Sequence, residues 1–197
     1  MHRIKTSMNA RKIALLGGAL LAGIAVRYAF ADASKMSDLN TVPRVDLQRY
    51  TGRWYEIARY ANRFEKNCDR DITAEYAIRD DGKISVVNSC TERDGRRNVA
   101  RGWAKVADKT TNAKLKVTFF WPFFGDYWII DLGRDYEYAV VSEPRRNYLW
   151  ILCREPKMSD AQFAEIGNRL RAIGYDPGKL IIPKMTSEKP HSLQQLR

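Results

Sequence analysis

Eight short stretches rich in Tyr, Trp, Phe, Val and Ile follow one another, at about 53–61, 72–79, 83–90, 97–107, 113–120, 127–133, 136–143 and 148–154. Each has the length of a β-strand, and aromatic and β-branched side chains suit a pleated chain better than a helix. The connections are too short for parallel crossovers, so the strands must run as an antiparallel meander. Arg79-Asp80-Asp81-Gly82-Lys83 is a tight hairpin turn, because Asp-Gly accepts positive φ. Leu115, Val117 and Phe119 alternate with Lys114, Lys116 and Thr118, which marks one buried and one wet face. Eight such strands close into a barrel whose interior holds side chains or one small ligand. The expected fold is all-β: an eight-stranded antiparallel up-and-down barrel with one C-terminal α-helix packed outside.

That helix begins at Pro156 and Ser159, with Ser159 as N-cap and Asp160 in the first turn. Phe163, Ile166, Leu170 and Ile173 form one stripe, and Gly174 ends it. The stripe predicts packing on the barrel wall. Leu180-Ile181-Ile182 reads as a short strand returning to the barrel edge, and the tail (186–197) is polar.

Gly52-Arg53-Trp54 stands in the run Tyr50-Thr51-Gly52-Arg53-Trp54-Tyr55-Glu56-Ile57-Ala58-Arg59-Tyr60, followed by Arg63-Phe64-Glu65. This run resembles the first signature of the lipocalins, above all the bacterial and apolipoprotein D-like branch. Arg134-Asp135-Tyr136 is similar to the second signature, with Arg134 in place of threonine. Tyr148-Leu149-Trp150-Ile151-Leu152-Cys153-Arg154 is similar to the third. The resemblance implies that Arg154 packs across Trp54 and closes the barrel floor, with Gly52 making the turn into the strand. It also implies that Tyr76, Phe119, Tyr138 and Trp150 look inward onto an apolar pocket. Asn88 and an arginine near the rim are expected to orient a polar head group.

Arg3, Lys5, Arg11 and Lys12 precede an apolar stretch from Ile13 to Val26, and small residues follow in Ala29-Phe30-Ala31. This is the pattern of a secretory signal over 1–31, ahead of a barrel domain over 32–185. Arg27 between the apolar core and the cleavage motif leaves an uncleaved anchor as the alternative. The signal pattern predicts a periplasmic or secreted chain, with membrane association as a further option, and because the first cysteine is Cys68 no acylated N-terminal cysteine is expected. The five basic groups of 1–31, subtracted from a net charge of +11, leave about +6. That surplus is scattered, which excludes a nucleic-acid site and leaves solubility or attraction to anionic lipid.

Three cysteines in an exported chain predict one bridge and one spare thiol. A Cys68–Cys90 bridge is favoured over none, although direct hairpin register sets Ile72 opposite Cys90. In the apolipoprotein D-like proteins the Cys68 position is tied to a C-terminal cysteine, which this chain lacks. Cys153 reads as a small hydrophobe.

The only histidines are His2 and His191, so no triad can assemble in the folded body, and no cofactor or metal is expected. Glu56, Ala58 and Tyr60 face inward by alternation from Trp54, and a buried Glu56 needs a donor or a neighbouring arginine. Phe119-Phe120-Trp121-Pro122-Phe123-Phe124-Gly125 forms a loop too apolar to stand in water alone. It covers a ligand, a partner subunit or a membrane surface, or it plugs one barrel end. Together these residues point to a carrier of a small hydrophobic molecule, such as a fatty acid, lysophospholipid or other membrane lipid. The alternatives are an enzyme acting on a lipid or pigment in the barrel and an interaction protein working through loop 119–125.

Overall fold

The computed structural model describes residues 39–186; the leader expected over 1–31 and the tail beyond Thr186 lie outside the described residues. Eight strands run Gly52–Tyr60 (β1), Cys68–Ile78 (β2), Ile84–Glu92 (β3), Arg97–Val106 (β4), Lys114–Phe120 (β5), Phe123–Leu132 (β6), Tyr138–Ser142 (β7) and Leu149–Cys153 (β8). Every neighbouring pair is antiparallel, and β1 pairs with both β2 and β8, which closes the barrel. A ninth strand, Leu180–Ile181 (β9), adds to the far end of β1, setting Ile181 beside Arg59 and Leu180 beside Tyr60.

One end of the barrel is the floor. A helical turn, Leu47–Tyr50 (α1), crosses it, and the Asp46 carboxylate caps that turn by accepting from the Gln48 and Arg49 amides. The preceding segment is stitched on by Val42 N–H to Ile129 C=O (3.0 Å) and Val45 N–H to Thr111 C=O (2.7 Å). At the opposite end lie the β1–β2, β3–β4, β5–β6 and β7–β8 connections. On β4, Asn98 and Ala100 stand in inward register opposite Cys90 and Asn88, yet both are exposed, so this end is open to water.

Two apolar clusters divide the barrel wall. The inner one gathers Trp54, Tyr76, Val86, Leu115, Ile129 and Val141. The outer one lies beneath the helix Asp160–Ala172 (α2), whose Ile166 and Leu170 cover Val140, Leu149 and Ile151. Ser159 caps α2 as the sequence predicts, while Ile173 is 45% exposed and drops out of the packing stripe.

Three departures from simple alternation change which side chains face inward. In β1 the pairing with β8 slips between Glu56 and Ala58. Ile57 and Ala58 therefore both pack outward, Tyr60 follows them, and Arg59 turns inward opposite Trp150. Before β7, Tyr136 adopts φ +61° in a tight turn and still packs inward, so the pleat restarts in the opposite phase. Tyr138 then lies under α2, donating to Asp131 Oδ1 (3.2 Å) and accepting from Arg169 Nη2 (2.8 Å). Its expected place on the ligand wall is corrected accordingly.

At the end of β5 the pairing slips between Val117 and Phe120, burying Thr118 and leaving Phe119 44% exposed. The Phe119 ring nevertheless lies over the inward side of Gly102, 2.8 Å from where a Cβ would stand, so only glycine fits there.

Cys68 and Cys90 form a disulfide with Cα atoms 5.7 Å apart. Two register shifts in β2, on either side of Arg70, bring Cys68 back to a strand end that direct counting gave to Ile72. Cys153 is free and buried. A disulfide closing a loop of this length contributes about 3 kcal/mol. The Cys68→Ser, Cys90→Ser double variant should therefore lose about 3 kcal/mol in urea unfolding. The parent chain should show one reactive thiol, and only after denaturation.

Candidate ligand site in the barrel interior

At the floor, Gly52 takes φ +91°, a backbone conformation that favours glycine, and a Cβ there would stand 3.3 Å from Arg154 Nη1. Trp54 is fully buried, and the Arg154 guanidinium carbon sits 3.8 Å from its ring centre. Arg154 also donates to Arg53 C=O (2.9 Å) and Arg49 C=O (2.6 Å), and its partial burial lowers its pKa. The Trp54 indole donates to Tyr50 C=O (2.9 Å), so one arginine and one tryptophan tie α1, β1 and the end of β8 together.

Above the tryptophan stand three linked phenols. Tyr127 OH lies 2.7 Å from Tyr50 OH and 3.0 Å from Tyr76 OH. Burial drives all three pKa values up, Tyr76 to about 12, so they stay neutral and satisfy one another. Tyr76 thus forms the ceiling of the floor plug.

Nearer the mouth, the interior becomes ionic. Glu56 and Arg59 are 3% and 6% exposed. Arg59 donates through Nη1 to Glu56 Oε1 (2.7 Å) and through Nε to Glu65 Oε2 (2.9 Å). Glu65 comes from the β1–β2 loop and also accepts from the Trp150 indole (3.1 Å) and the Asn62 amide (3.2 Å). That loop is held further by Phe64 against Tyr148, ring centres 5.5 Å apart. Burial, and then the neighbouring Glu65 charge, push the Glu56 pKa well above the ordinary carboxylate value. Asn88 faces inward between Ala74 and Ala100, and its Oδ1 is buried with no hydrogen-bond partner.

Of the residues expected to line a pocket, Trp150 and Asn88 stand on the inner wall. Tyr76 lies at the base, Phe119 leans in from the rim, and Tyr138 is outside. Alternation missed Arg59, Glu65 and Tyr127. The signal for Arg59 was present in the buried acid itself: Glu56 needs a base, and Arg59 is the arginine that follows in the same strand.

A lipocalin-like domain matches residues 45–185. The chain is a lipocalin. Outer membrane lipoprotein Blc of Escherichia coli K12 is 42% identical to this lipocalin, covering 73% of this chain and 81% of Blc. Temperature-induced lipocalin-1 of Arabidopsis thaliana is 35% identical over 81% and 89% of the two chains. Mouse apolipoprotein D is 36% identical over 72% and 75%. Among solved structures, insecticyanin from the tobacco hornworm Manduca sexta shares the fold, with TM-score 0.63 and 23% identity over 76% of this chain and 86% of insecticyanin.

One expectation is overturned by these relatives. The signal pattern and Cys68 as the first cysteine predict a periplasmic or secreted chain that is not an N-terminally acylated lipoprotein. The lipocalins that share this barrel at 42% identity are outer membrane lipoproteins by name, so that reading does not stand. The shared barrel carries no record of how an N-terminus is attached, and the position of one cysteine was too narrow a ground.

Trp54→Ala should destabilise the lipocalin by about 3–5 kcal/mol through the cavity it opens. Arg154→Ala should cost less, and a double-mutant cycle in urea unfolding should return a coupling of about 0.5–2 kcal/mol. Glu56 binds its proton more tightly folded than unfolded, so between the ordinary carboxylate range and its raised value the unfolded chain holds fewer protons. The Glu56 contribution to stability is thus fully present at low pH and fades as pH rises through the raised value. Glu56→Gln should flatten that slope in unfolding measured at stepped pH.

Proposed function

We propose that this lipocalin carries one single-chain lipid, with the tail on the apolar inner wall above the phenols and the polar end near the mouth. The observation that carries the reading is the interior's division into an apolar base and one polar cluster below an open end. Such a gradient suits an amphiphile, whose chain gains about 25 cal/mol for each Å² of apolar surface removed from water. A fatty acid and a lysophospholipid both have this form. Non-covalent carriage, rather than catalysis, is supported by the absence of histidine from residues 39–186 and by the pairing of Arg59 with two carboxylates.

The tip between β5 and β6 favours loading at a membrane surface. Phe120, Trp121 and Phe123 are 76%, 73% and 71% exposed, and Phe64 is 63% exposed at the same end. Arg63, Lys66, Arg93, Arg96, Arg97, Arg145 and Arg146 belong to the mouth connections or their flanks. Aromatic side chains with a basic surround match the interface of an anionic bilayer.

A single-chain lipid should co-purify at one per protein in native mass spectrometry and quench tryptophan emission on re-addition. Trp150→Ala should weaken binding by about 1–3 kcal/mol while the circular dichroism of the barrel is unchanged. Phe120→Ser with Trp121→Ser should cut flotation with anionic vesicles by about tenfold or more. Undiminished flotation would remove the loop from the reading and leave the barrel site in place.

A further inference from the structure

Lipid carriage in the barrel leaves open which head group the polar cluster accepts. Resting on that reading, we propose that Glu56, Arg59 and Glu65 form a head-group subsite for a protonated amine, so that the preferred cargo is a single-chain lipid bearing an ammonium rather than a free fatty acid.

The balance of charge carries the proposal. Two carboxylates share one guanidinium, and Arg59 already spends Nη1 on Glu56 at 2.7 Å and Nε on Glu65 at 2.9 Å. The charged groups facing Glu56 are Arg59 on its own strand and Glu65 from the loop. Leu152 of β8 stands opposite, and the neutral phenol of Tyr76 lies deeper. A fatty-acid carboxylate would be a third acid against one base in a site shielded from water, where repulsion is weakly screened. The unmet demand is for donors. Glu65 accepts from Arg59, Asn62 and Trp150. An ammonium carries three donors and one positive charge, which matches a cluster of acceptors holding one surplus acid.

The proton balance follows from the same geometry. Burial and the neighbouring Glu65 charge raise the Glu56 pKa, so the site favours the carboxylic acid more than water does. When the ammonium docks, the O–H bond of Glu56 breaks and its proton passes to water. The resulting carboxylate pairs with the ammonium, and one proton is released per lipid bound. Affinity for the amine therefore rises with pH as Glu56 gives up its proton. Affinity for a carboxylate falls over the same range, because deprotonating Glu56 makes the subsite more anionic.

The test uses the full chain and three probes of one chain length: hexadecylamine, hexadecanol and hexadecanoate, each titrated by tryptophan quenching at pH 5.5, 6.5 and 7.5. The amine should bind about tenfold or more tightly than the carboxylate at pH 7.5, with the ratio growing from pH 5.5. Glu56→Gln should bring the ratio close to one and abolish its pH trend, and Glu65→Gln should reduce it. A carboxylate that binds as tightly as the amine, or a ratio unmoved by both substitutions, overturns the subsite. If the variants do not fold, a wild-type carboxylate that binds as tightly as the amine overturns it alone. Hexadecanol separates the two readings: if it binds while the amine has no advantage, only the head-group assignment fails. If no probe binds, lipid carriage fails with it.

Discussion

The stacking of Arg154 on Trp54 holds the barrel shut. A sheet that closes on itself has no free edges, but its ends still present backbone to water. Here one end is sealed by an indole that is fully buried and a guanidinium 3.8 Å above it. The arginine's nitrogens bind carbonyls of α1 and β1 across about a hundred residues of sequence. Arg154 joins the last barrel strand to the first and to the turn that covers them, which no local interaction can do. The three phenols above the indole depend on that floor, because Tyr50 belongs to α1 and packs tilted against Trp54, ring centres 5.0 Å apart.

From this floor the interior grades towards water. Apolar side chains and mutually satisfied phenols occupy the lower half, and the upper half holds a buried ion cluster that also fastens the β1–β2 loop. Taking Glu56 and Arg59 out of water is costly unless each is paired and hydrogen-bonded, which the cluster does with little to spare. Buried ion groups add little net stability against apolar replacements of the same volume. Their presence here is better explained by what they contact at the mouth than by the strength of the fold.

The exposed aromatic tip follows a different rule. Phe120 and Phe123 stack on one another, ring centres 6.3 Å apart, and leave Trp121 in water. A chain that buries tryptophan so completely at one end and exposes it so fully at the other is built with a definite polarity along the barrel axis. The membrane loading proposed above would place lipid exchange at the open mouth and keep the stable floor away from it.

The strand order, the Asp-Gly turn, the capped helix and the floor motif were legible in the sequence, because they rest on local propensity and short-range pattern. By contrast, β2 starts at Cys68 rather than 72, and β7 covers only Tyr138–Ser142. Ser159 before Asp160 and Asp-Gly before Lys83 need no distant partner to act as they do. The inward set was legible only where the pleat runs unbroken, as at Ile84, Val86 and Asn88. A β-bulge moves every later side chain to the other face, and whether one forms depends on the partner strand rather than on the bulged sequence. That is why Arg59 entered the site unannounced and Ala58 and Tyr60 left it. The φ of +61° at Tyr136 likewise turned Tyr138 away from the lumen. Sequence determined that this chain becomes a closed barrel; tertiary pairing decided which charges the barrel holds, because inside and outside on a strand differ by a single residue of register.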